Sequence, residues 1–141
     1  MKSFSHIAIL VNDLDRMEEF YHKVFSMKTA WKNDEKAYLT TGNNDILALL
    51  VDQEFRNKPY DLGKVTEGQE LTPNFFHFGM VVNSEKEFKG MLDKCRAIGL
   101  EVVGPKTSRD TTRSFYFSDP ENYLIQIVFP PREYFSQDDE R

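Results

Sequence analysis

Two histidines at matching positions are the residues of this chain best suited to do chemistry together. His6 opens an apolar run that ends at Asn12, and His77 opens a second run that ends at Asn83. Both pairs are offset by 71 residues (77 minus 6, and 83 minus 12). Neutral imidazole nitrogens can hold Zn²⁺, Ni²⁺, Fe²⁺ or Mn²⁺. A chain built from two copies of one unit tends to form its site between them, so the two histidines are the first candidates for that site.

The elements that would position His6 follow the order β-α-β-β-β. Residues 4–11 alternate and are rich in β-branched side chains, which predicts a strand. Asp15 is the predicted N-cap of a helix over roughly 16–26, with Glu18 as its capping-box partner. Three short strands are predicted next, at about 28–32, 36–41 and 45–51.

The second half repeats this order around His77. A strand is predicted at 75–82, and Ser84 with Glu87 repeats the capping box. Apolar residues at helical spacing follow, and Gly99 is placed to end that helix. The remaining strands are predicted at 100–104, 113–117 and 123–129, with the turn Asp119-Pro120-Glu121-Asn122 before the last one.

These patterns divide the chain into a first module (1–51), a second module (75–130) and two further segments. The polar segment 52–74 is a linker or a flap, and its length favours a functional use. Residues 131–141 form a charged tail that we expect to be peripheral.

Composition excludes several classes of protein. The chain has 141 residues, which suffices for one compact domain or for two very small units that share a core. Its formal charge is −5, and no concentrated basic face is present, so nucleic acid is not an expected partner. There is no run of 18 apolar residues and no signal peptide, which predicts a soluble cytoplasmic protein without a membrane partner. The single cysteine excludes an internal disulfide and a CxxC metal site.

The chain resembles the vicinal oxygen chelate superfamily, which includes glyoxalase I, bleomycin resistance proteins and extradiol dioxygenases. The resemblance covers about residues 4–129 and rests on motifs that occur in order. They are His6 with Val11–Asp15 and Phe20-Tyr21, then His77 and Val82, Ile98–Val103, and Phe115–Pro120. It implies an α+β fold of two βαβββ modules whose curved mixed sheets enclose a cleft, often as a homodimer.

The resemblance also implies a metal site with one ligand on the first and one on the last strand of each module. Those positions are His6, Ala48, His77 and Gln126 in this chain. Similar enzymes usually have Glu at the position of Gln126, and often a ligand at that of Ala48. The predicted metal ligands are therefore His6, His77 and Gln126, and the site should hold its divalent cation more weakly than His-His-Glu.

The same substitutions bear on the expected reaction. Neither Ala48 nor Gln126 can accept a proton at neutral pH, so glyoxalase I activity is not expected. Asp52, on the same strand face as Ala48 by period two, is a weak candidate for a base. Oxygenation of the kind that uses two His and one Glu on iron is also disfavoured by Gln126.

Aromatic residues and one arginine are candidates for substrate binding. Trp31, Tyr38 and Tyr116 could line an apolar pocket, and Arg113 could pair with an anionic substrate. The leading hypothesis is a divalent-metal-dependent enzyme of the lyase, isomerase or dioxygenase type that acts on a small oxygenated molecule. The alternative is a non-catalytic protein that binds a small molecule without metal, as in resistance by sequestration.

Overall fold

Each half of the chain forms a four-stranded mixed sheet with one helix. The computed structural model describes residues 4–59, 61–62, 77–108 and 111–130. The first half contains β1 (His6–Val11), α1 (Leu14–Phe25), β2 (Lys28–Lys32), β3 (Lys36–Thr40) and β4 (Ile46–Val51). The second half contains β5 (His77–Val81), α2 (Glu85–Ala97), β6 (Val103–Thr107), β7 (Arg113–Ser118) and β8 (Leu124–Phe129). The predicted duplication of the element order is confirmed.

The two sheets have the same topology. Their strand orders are β1-β4-β3-β2 and β5-β8-β7-β6. In each sheet the first and last strands of the module pair in parallel, and the other neighbours are antiparallel. A parallel pair needs a crossover connection, which the intervening helix and hairpin provide. This is the α+β arrangement of two βαβββ modules that the sequence predicted.

Each helix packs on one face of its own sheet. Helix α1 buries Met17, Tyr21 and Val24 completely, while Ala37 and Leu39 of β3 are buried from the sheet side. Because side chains alternate along a strand, the other set of positions points away from the helix. We call that side the distal face. It carries His6, Ala8, Leu10, Trp31, Lys36, Tyr38, Ala48 and Leu50 in the first sheet, and His77, Gly79, Val81, Val103, Ser114, Tyr116, Leu124, Gln126 and Val128 in the second.

Two predictions about local structure are wrong. The N-cap of α1 is Asp13, whose Oδ1 accepts a hydrogen bond from the Arg16 backbone N–H at 3.1 Å, and Asp15 lies inside the helix. Asp15 instead pairs with Lys32 at 2.5 Å. Strand β6 begins at Val103, three residues after the predicted start, because Val103 is the first residue of this segment that pairs with β7. The second capping box is confirmed, since Ser84 accepts from the Glu87 N–H at 3.0 Å.

The chain forms two compact units. The first comprises the described residues of Met1–Pro59 together with Asp119–Tyr123, and the second comprises those of Tyr60–Ser118 and Leu124–Arg141. The turn between β7 and β8 therefore packs with the first module. Of the predicted segment 52–74 the structure describes 52–59 and 61–62, and the predicted tail 131–141 lies outside the described residues. In the described part of the chain, neither helix is long and apolar enough to cross a membrane.

Candidate functional site

In the second unit, His77 lies beside Gln126 and Tyr116 on the distal face. Gln126 of β8 is opposite Gly79 of β5 and opposite Tyr116 of β7. His77 is two residues before Gly79 and therefore shares its face. The His77 and Tyr116 rings meet edge to face, with centroids 5.5 Å apart and an interplanar angle of 84°. The three side chains form one continuous polar and aromatic patch.

Burial and one hydrogen bond set the electrostatics of this patch. Gln126 is 9% exposed, and His77 is half-buried. Partial burial lowers the pKa of His77 below its ordinary value, while a side-chain hydrogen bond with Gln126 acts in the opposite direction. The net effect favours the neutral imidazole, which is the form that binds metal ions and accepts or donates one hydrogen bond at each nitrogen.

The first unit presents the same arrangement with one difference. His6 is the first residue of β1, Ala8 is opposite Ala48 of β4, and Ala48 is opposite Tyr38 of β3. His6, Ala48 and Tyr38 thus hold the positions of His77, Gln126 and Tyr116. His6 is exposed, and its Nδ1 is 2.6 Å from the hydroxyl oxygen of Ser5. The polar side chain of the second unit is replaced here by a methyl group.

The available donors decide what kind of ion the residues could hold. In the described part of the chain, no three His, Cys, Asp or Glu side chains come together in a way suited to a metal ion. A metal site there needs a donor of another type, and the amide oxygen of Gln126 is such a donor. His77 and Gln126 together offer one nitrogen and one oxygen without charge. This set fits a divalent cation of the borderline kind but leaves its charge uncompensated.

Trp31 and Tyr38 form an aromatic pair on the distal face of the first sheet. Their ring centroids are 5.2 Å apart, with an interplanar angle of 39°. Trp31 is 47% exposed, whereas Tyr38 is partly buried. Both residues were predicted to bind substrate. The structure places them next to each other and on the face that carries His6.

Arg113 lies on the opposite face of its sheet from His77 and Gln126. Its guanidinium pairs with Glu85 of α2 and lies 4.9 Å from the ring centroid of Phe88, which is also on α2. Alternation along β7 puts Arg113 on the helix side, since Tyr116 faces the distal side. That Arg113 pairs with an anionic substrate stays a prediction; in this structure its guanidinium pairs with Glu85 on the helix side, away from His77 and Gln126.

Asp52 has a structural role at the end of β4. Its Oδ1 accepts hydrogen bonds from the backbone N–H groups of Glu54 at 2.9 Å and Phe55 at 3.2 Å. These bonds form a turn of the type in which an aspartate replaces a backbone carbonyl. One carboxylate oxygen is therefore engaged, and the prediction of Asp52 as a base gains no support from its contacts.

The surface of the first unit has two depressions, whose linings include none of His6, Trp31, Tyr38, Ala48 and Asp52. One has a volume of about 550 Å³ and is lined by residues that include Asn12, Asp15, Lys32 and Gln53. The other has about 200 Å³ and lies next to the turn at Glu121. Their linings are mainly polar and neither includes His6. Binding sites for organic ligands are mostly apolar with a few placed polar groups, so we assign the candidate site to the distal faces.

A buried polar cluster in the first unit was not predicted. Asp119, expected to act only as a turn former, is 4% exposed and accepts a hydrogen bond from the hydroxyl of fully buried Tyr21 at 2.7 Å. It also accepts from the backbone N–H groups of Glu121 at 2.9 Å and Tyr123 at 3.0 Å. Burial raises the pKa of Asp119 to about 6 despite these bonds. The partners are 98 residues apart, so no local sequence signal could reveal the contact.

Comparison with known proteins identifies the family. The sequence model of the Glyoxalase/Bleomycin resistance protein/Dioxygenase superfamily matches residues 3–127. The chain belongs to this superfamily. It is 26% identical over 128 residues to metallothiol transferase FosB of Lysinibacillus sphaericus, covering 90% of this chain and 82% of that protein.

A plant enzyme and a solved structure extend the comparison. Lactoylglutathione lyase GLX1 of Arabidopsis thaliana is 27% identical over an alignment of 139 residues that covers 90% of this chain and 44% of that protein. The crystal structure of a glyoxalase/dioxygenase from Nostoc punctiforme superposes with a TM-score of 0.72 at 20% identity, covering 93% of this chain and 92% of that chain. The structural likeness supports the fold, and the two relatives are enzymes by name.

Proposed function

We propose that the protein is a divalent-metal-dependent enzyme that acts on a small oxygenated molecule. The observation that carries this proposal is the patch on the second unit, where His77 is hydrogen-bonded to Gln126 beside Tyr116. The equivalent position in the first unit is again a histidine. Membership of a superfamily in which one relative is named a metallothiol transferase and another a lyase supports the same conclusion.

His77 and Gln126 would bind the cation through an imidazole nitrogen and an amide oxygen. His6 is proposed as a further ligand on the strength of the duplication, from the same chain or from a second copy in a homodimer. Ala48 has no donor. Since no carboxylate takes part, we expect Zn²⁺, Ni²⁺, Fe²⁺ or Mn²⁺ to exchange more readily than at a His-His-Glu site.

A bound cation would supply Lewis acidity, which stabilises negative charge that develops on a substrate oxygen. The protein side chains then decide which reactions fit. Gln126 is neutral and Ala48 is apolar, so neither position provides a proton acceptor. The aromatic ring of Tyr116 provides a surface against which a substrate could be oriented. Reactions that need no carboxylate base at these positions, such as addition or group transfer, fit better than the isomerisation performed by glyoxalase I.

A second candidate function is sequestration of a small molecule without metal. The replacement of carboxylates by Ala48 and Gln126 favours it, because these side chains suit an organic ligand as well as a cation. In that case His77 and Gln126 would exchange hydrogen bonds with the ligand. The paired histidines at duplicated positions weigh against this alternative.

Metal binding by variants of the three histidines separates the two functions. We would titrate tag-free protein with Zn²⁺ in a calorimeter and measure the bound metal by elemental analysis. His77→Ala and His6→Ala should each lower the affinity by at least tenfold. His22→Ala is the matched control, because His22 is exposed on α1 and its side chain hydrogen-bonds to Thr29, which is not a residue of the proposed site. Equal affinity in all three variants, or no stoichiometric binding by the parent protein, would refute the metal proposal.

A gain-of-donor variant makes the test independent of the unknown substrate. Gln126→Glu places a carboxylate at a position that is 9% exposed. Without metal, the buried charge should lower the midpoint of thermal unfolding, and with Zn²⁺ the variant should be stabilised more than the parent. A Zn²⁺-induced shift that is no larger than in the parent would count against Gln126 as a ligand.

Dilution of the parent to monomer tests whether one chain or two chains supply the ligands. A site within one chain retains Zn²⁺ on dilution, whereas a site shared between two copies loses it.

A further inference from the structure

A bulge in β2 decides which way the only tryptophan of the chain points. Thr29 is opposite Leu39, but Trp31 is opposite Tyr38, so the register shifts by one residue at Ala30. Without the shift, Trp31 would be opposite Ala37, whose side chain is fully buried under α1. Bulges of this kind often occur next to functional sites, where they redirect a side chain. Here the bulge turns a large aromatic ring away from the core.

The neighbours of Trp31 on β2 confirm the direction. Thr29 and Lys32 both contact α1, since Thr29 donates to Glu18 at 2.7 Å and Lys32 pairs with Glu18 at 2.8 Å. Both therefore face the helix. Trp31, between them, faces the distal side and stacks at a tilt on Tyr38.

In the second unit, the position equivalent to Trp31 is covered by other side chains of the same chain. Val103 is opposite Tyr116 there, as Trp31 is opposite Tyr38. Val103 and Tyr116 pack against the buried side chains of Leu62 and Leu124. In the first unit the larger ring of Trp31 remains 47% exposed. A tryptophan is a costly residue to leave half in water, because burial of its ring contributes strongly to stability.

A cation lies on the same face. Lys36 is exposed, is two residues before Tyr38 on β3, and takes part in none of the salt bridges among the described residues. A lysine beside an aromatic pair disfavours a positively charged ligand, which would otherwise suit the faces of the rings. It favours a ring that carries a negative charge.

We propose that Trp31, Tyr38 and Lys36 form a subsite for an aromatic anion, in which the ligand ring stacks on Trp31 and its acidic group pairs with Lys36. The inference rests on the proposed function, because it takes the distal face as the ligand-binding face. It adds the chemical class of the molecule that is bound. The bound ring would cover Trp31 and Tyr38 in the first unit, as Leu62 covers Val103 and Tyr116 in the second.

Nuclear magnetic resonance tests the subsite directly, because one tryptophan gives one indole N–H resonance. Benzoate is the probe, cyclohexanecarboxylate removes the aromatic ring, and benzyl alcohol removes the charge. We expect benzoate to move the Trp31 resonance saturably and to bind about fivefold more tightly than either analogue. The comparison with uncharged benzyl alcohol is needed because the acidic residues Asp34 and Glu35 directly precede Lys36 in the β2–β3 turn and oppose its attraction for an anion. An unmoved resonance, or equal affinity for all three probes, would overturn the proposal.

Variants assign the two interactions. Lys36→Gln should weaken benzoate binding about threefold and leave benzyl alcohol unchanged, with Lys23→Gln on the exposed side of α1 as the control. Trp31→Ala, followed by ligand-observed saturation transfer, should abolish the preference for benzoate over cyclohexanecarboxylate, whereas Ile7→Ala, at an exposed apolar position on the helix side of β1, should not. Repeating both titrations with His77→Ala separates the proposals. Loss of Zn²⁺ binding with an unchanged benzoate response would support two separate sites, whereas unchanged Zn²⁺ affinity with a retained benzoate response would refute only the metal site.

Discussion

Replacement of Asp119 by Asn should change how the stability of the protein depends on pH. The carboxyl group of Asp119 has a pKa of about 6 in the folded protein, against an ordinary value of 3.8. Since the folded state holds this proton more tightly, it binds more protons than the unfolded state between these two values. The contribution of Asp119 is therefore most favourable at low pH, and the free energy of unfolding falls as the pH rises through about 4 to 6.

The magnitude follows from the size of the pKa difference. About two pKa units correspond to roughly 3 kcal/mol of stability that disappears between about pH 4 and pH 7. Little discount for solvent applies, because the side chain is 4% exposed. Asparagine is neutral throughout this range and can still accept from the N–H groups of Glu121 and Tyr123. Its side-chain NH₂ group replaces the oxygen that accepts from the Tyr21 hydroxyl, so this buried donor loses its acceptor at every pH, which costs about 1 to 2 kcal/mol.

The two effects have opposite signs and predict a crossover. Asp119→Asn should be less stable than the parent by about 1 to 2 kcal/mol near pH 4, and at pH 7 it should be equal or more stable. Urea unfolding followed by circular dichroism, at constant ionic strength and at several pH values, measures the difference. Subtracting the two curves removes the contribution of every other carboxyl group. Parallel curves for parent and variant would show that Asp119 titrates normally and would refute the reasoning.

Tyr21→Phe is the companion variant. It removes the hydroxyl that donates to Asp119 at 2.7 Å while keeping the aromatic ring in the core. Loss of a donor to a buried carboxylate should destabilise the protein by about 1 to 3 kcal/mol at pH 7. Because the missing bond favoured the ionised form, the pH window of the stability change should move upward relative to the parent.

Further predictions concern glycines and a helix cap. Gly104→Ala should destabilise the fold by about 3 kcal/mol, because φ is +108° and a Cβ would lie 2.8 Å from the Ser114 carbonyl oxygen. Urea unfolding measures the loss, and a decrease in the free energy of unfolding no larger than that of a surface substitution would contradict this. Gly90→Ala, inside α2 with open space around the added carbon, should stabilise by about 0.5 to 1 kcal/mol, and a lower unfolding midpoint would argue against it. Ser84→Ala should cost about 1 kcal/mol through loss of the α2 cap, and the converse result, no change in helix stability by hydrogen exchange, would remove the cap from the account.

The element order and the duplication could be predicted from sequence because both are local. Alternating apolar residues predict strands and a 3.6-residue period predicts helices, so the positions of His6 and His77 at the starts of β1 and β5 follow from pattern alone. The pairing of Ala48 and Gln126 with equivalent partners also follows, since a repeated topology repeats its register. The absence of a carboxylate at both positions was visible without any structure.

Other features depended on contacts that no local pattern contains. Arg113 and Trp31 were both predicted to bind substrate, but the register of β7 turns Arg113 toward α2, whereas the bulge at Ala30 turns Trp31 away from α1. A shift of one residue in a strand exchanges the two faces, and composition does not reveal it. The choice of Asp13 over Asp15 as N-cap likewise depends on where the backbone leaves β1.

The amino-acid sequence by itself determined the order of elements in the two βαβββ modules and the duplicated histidines, because these are matters of residue type and spacing along the chain. The resemblance to the superfamily implied the missing acidic donor. Only the tertiary structure decided which side chains share a face, and that Asp119 is buried against Tyr21 in the first unit. The reason is physical: alternation and helical period act over a few residues, whereas facing and burial are set by bulges and by contacts across about a hundred residues.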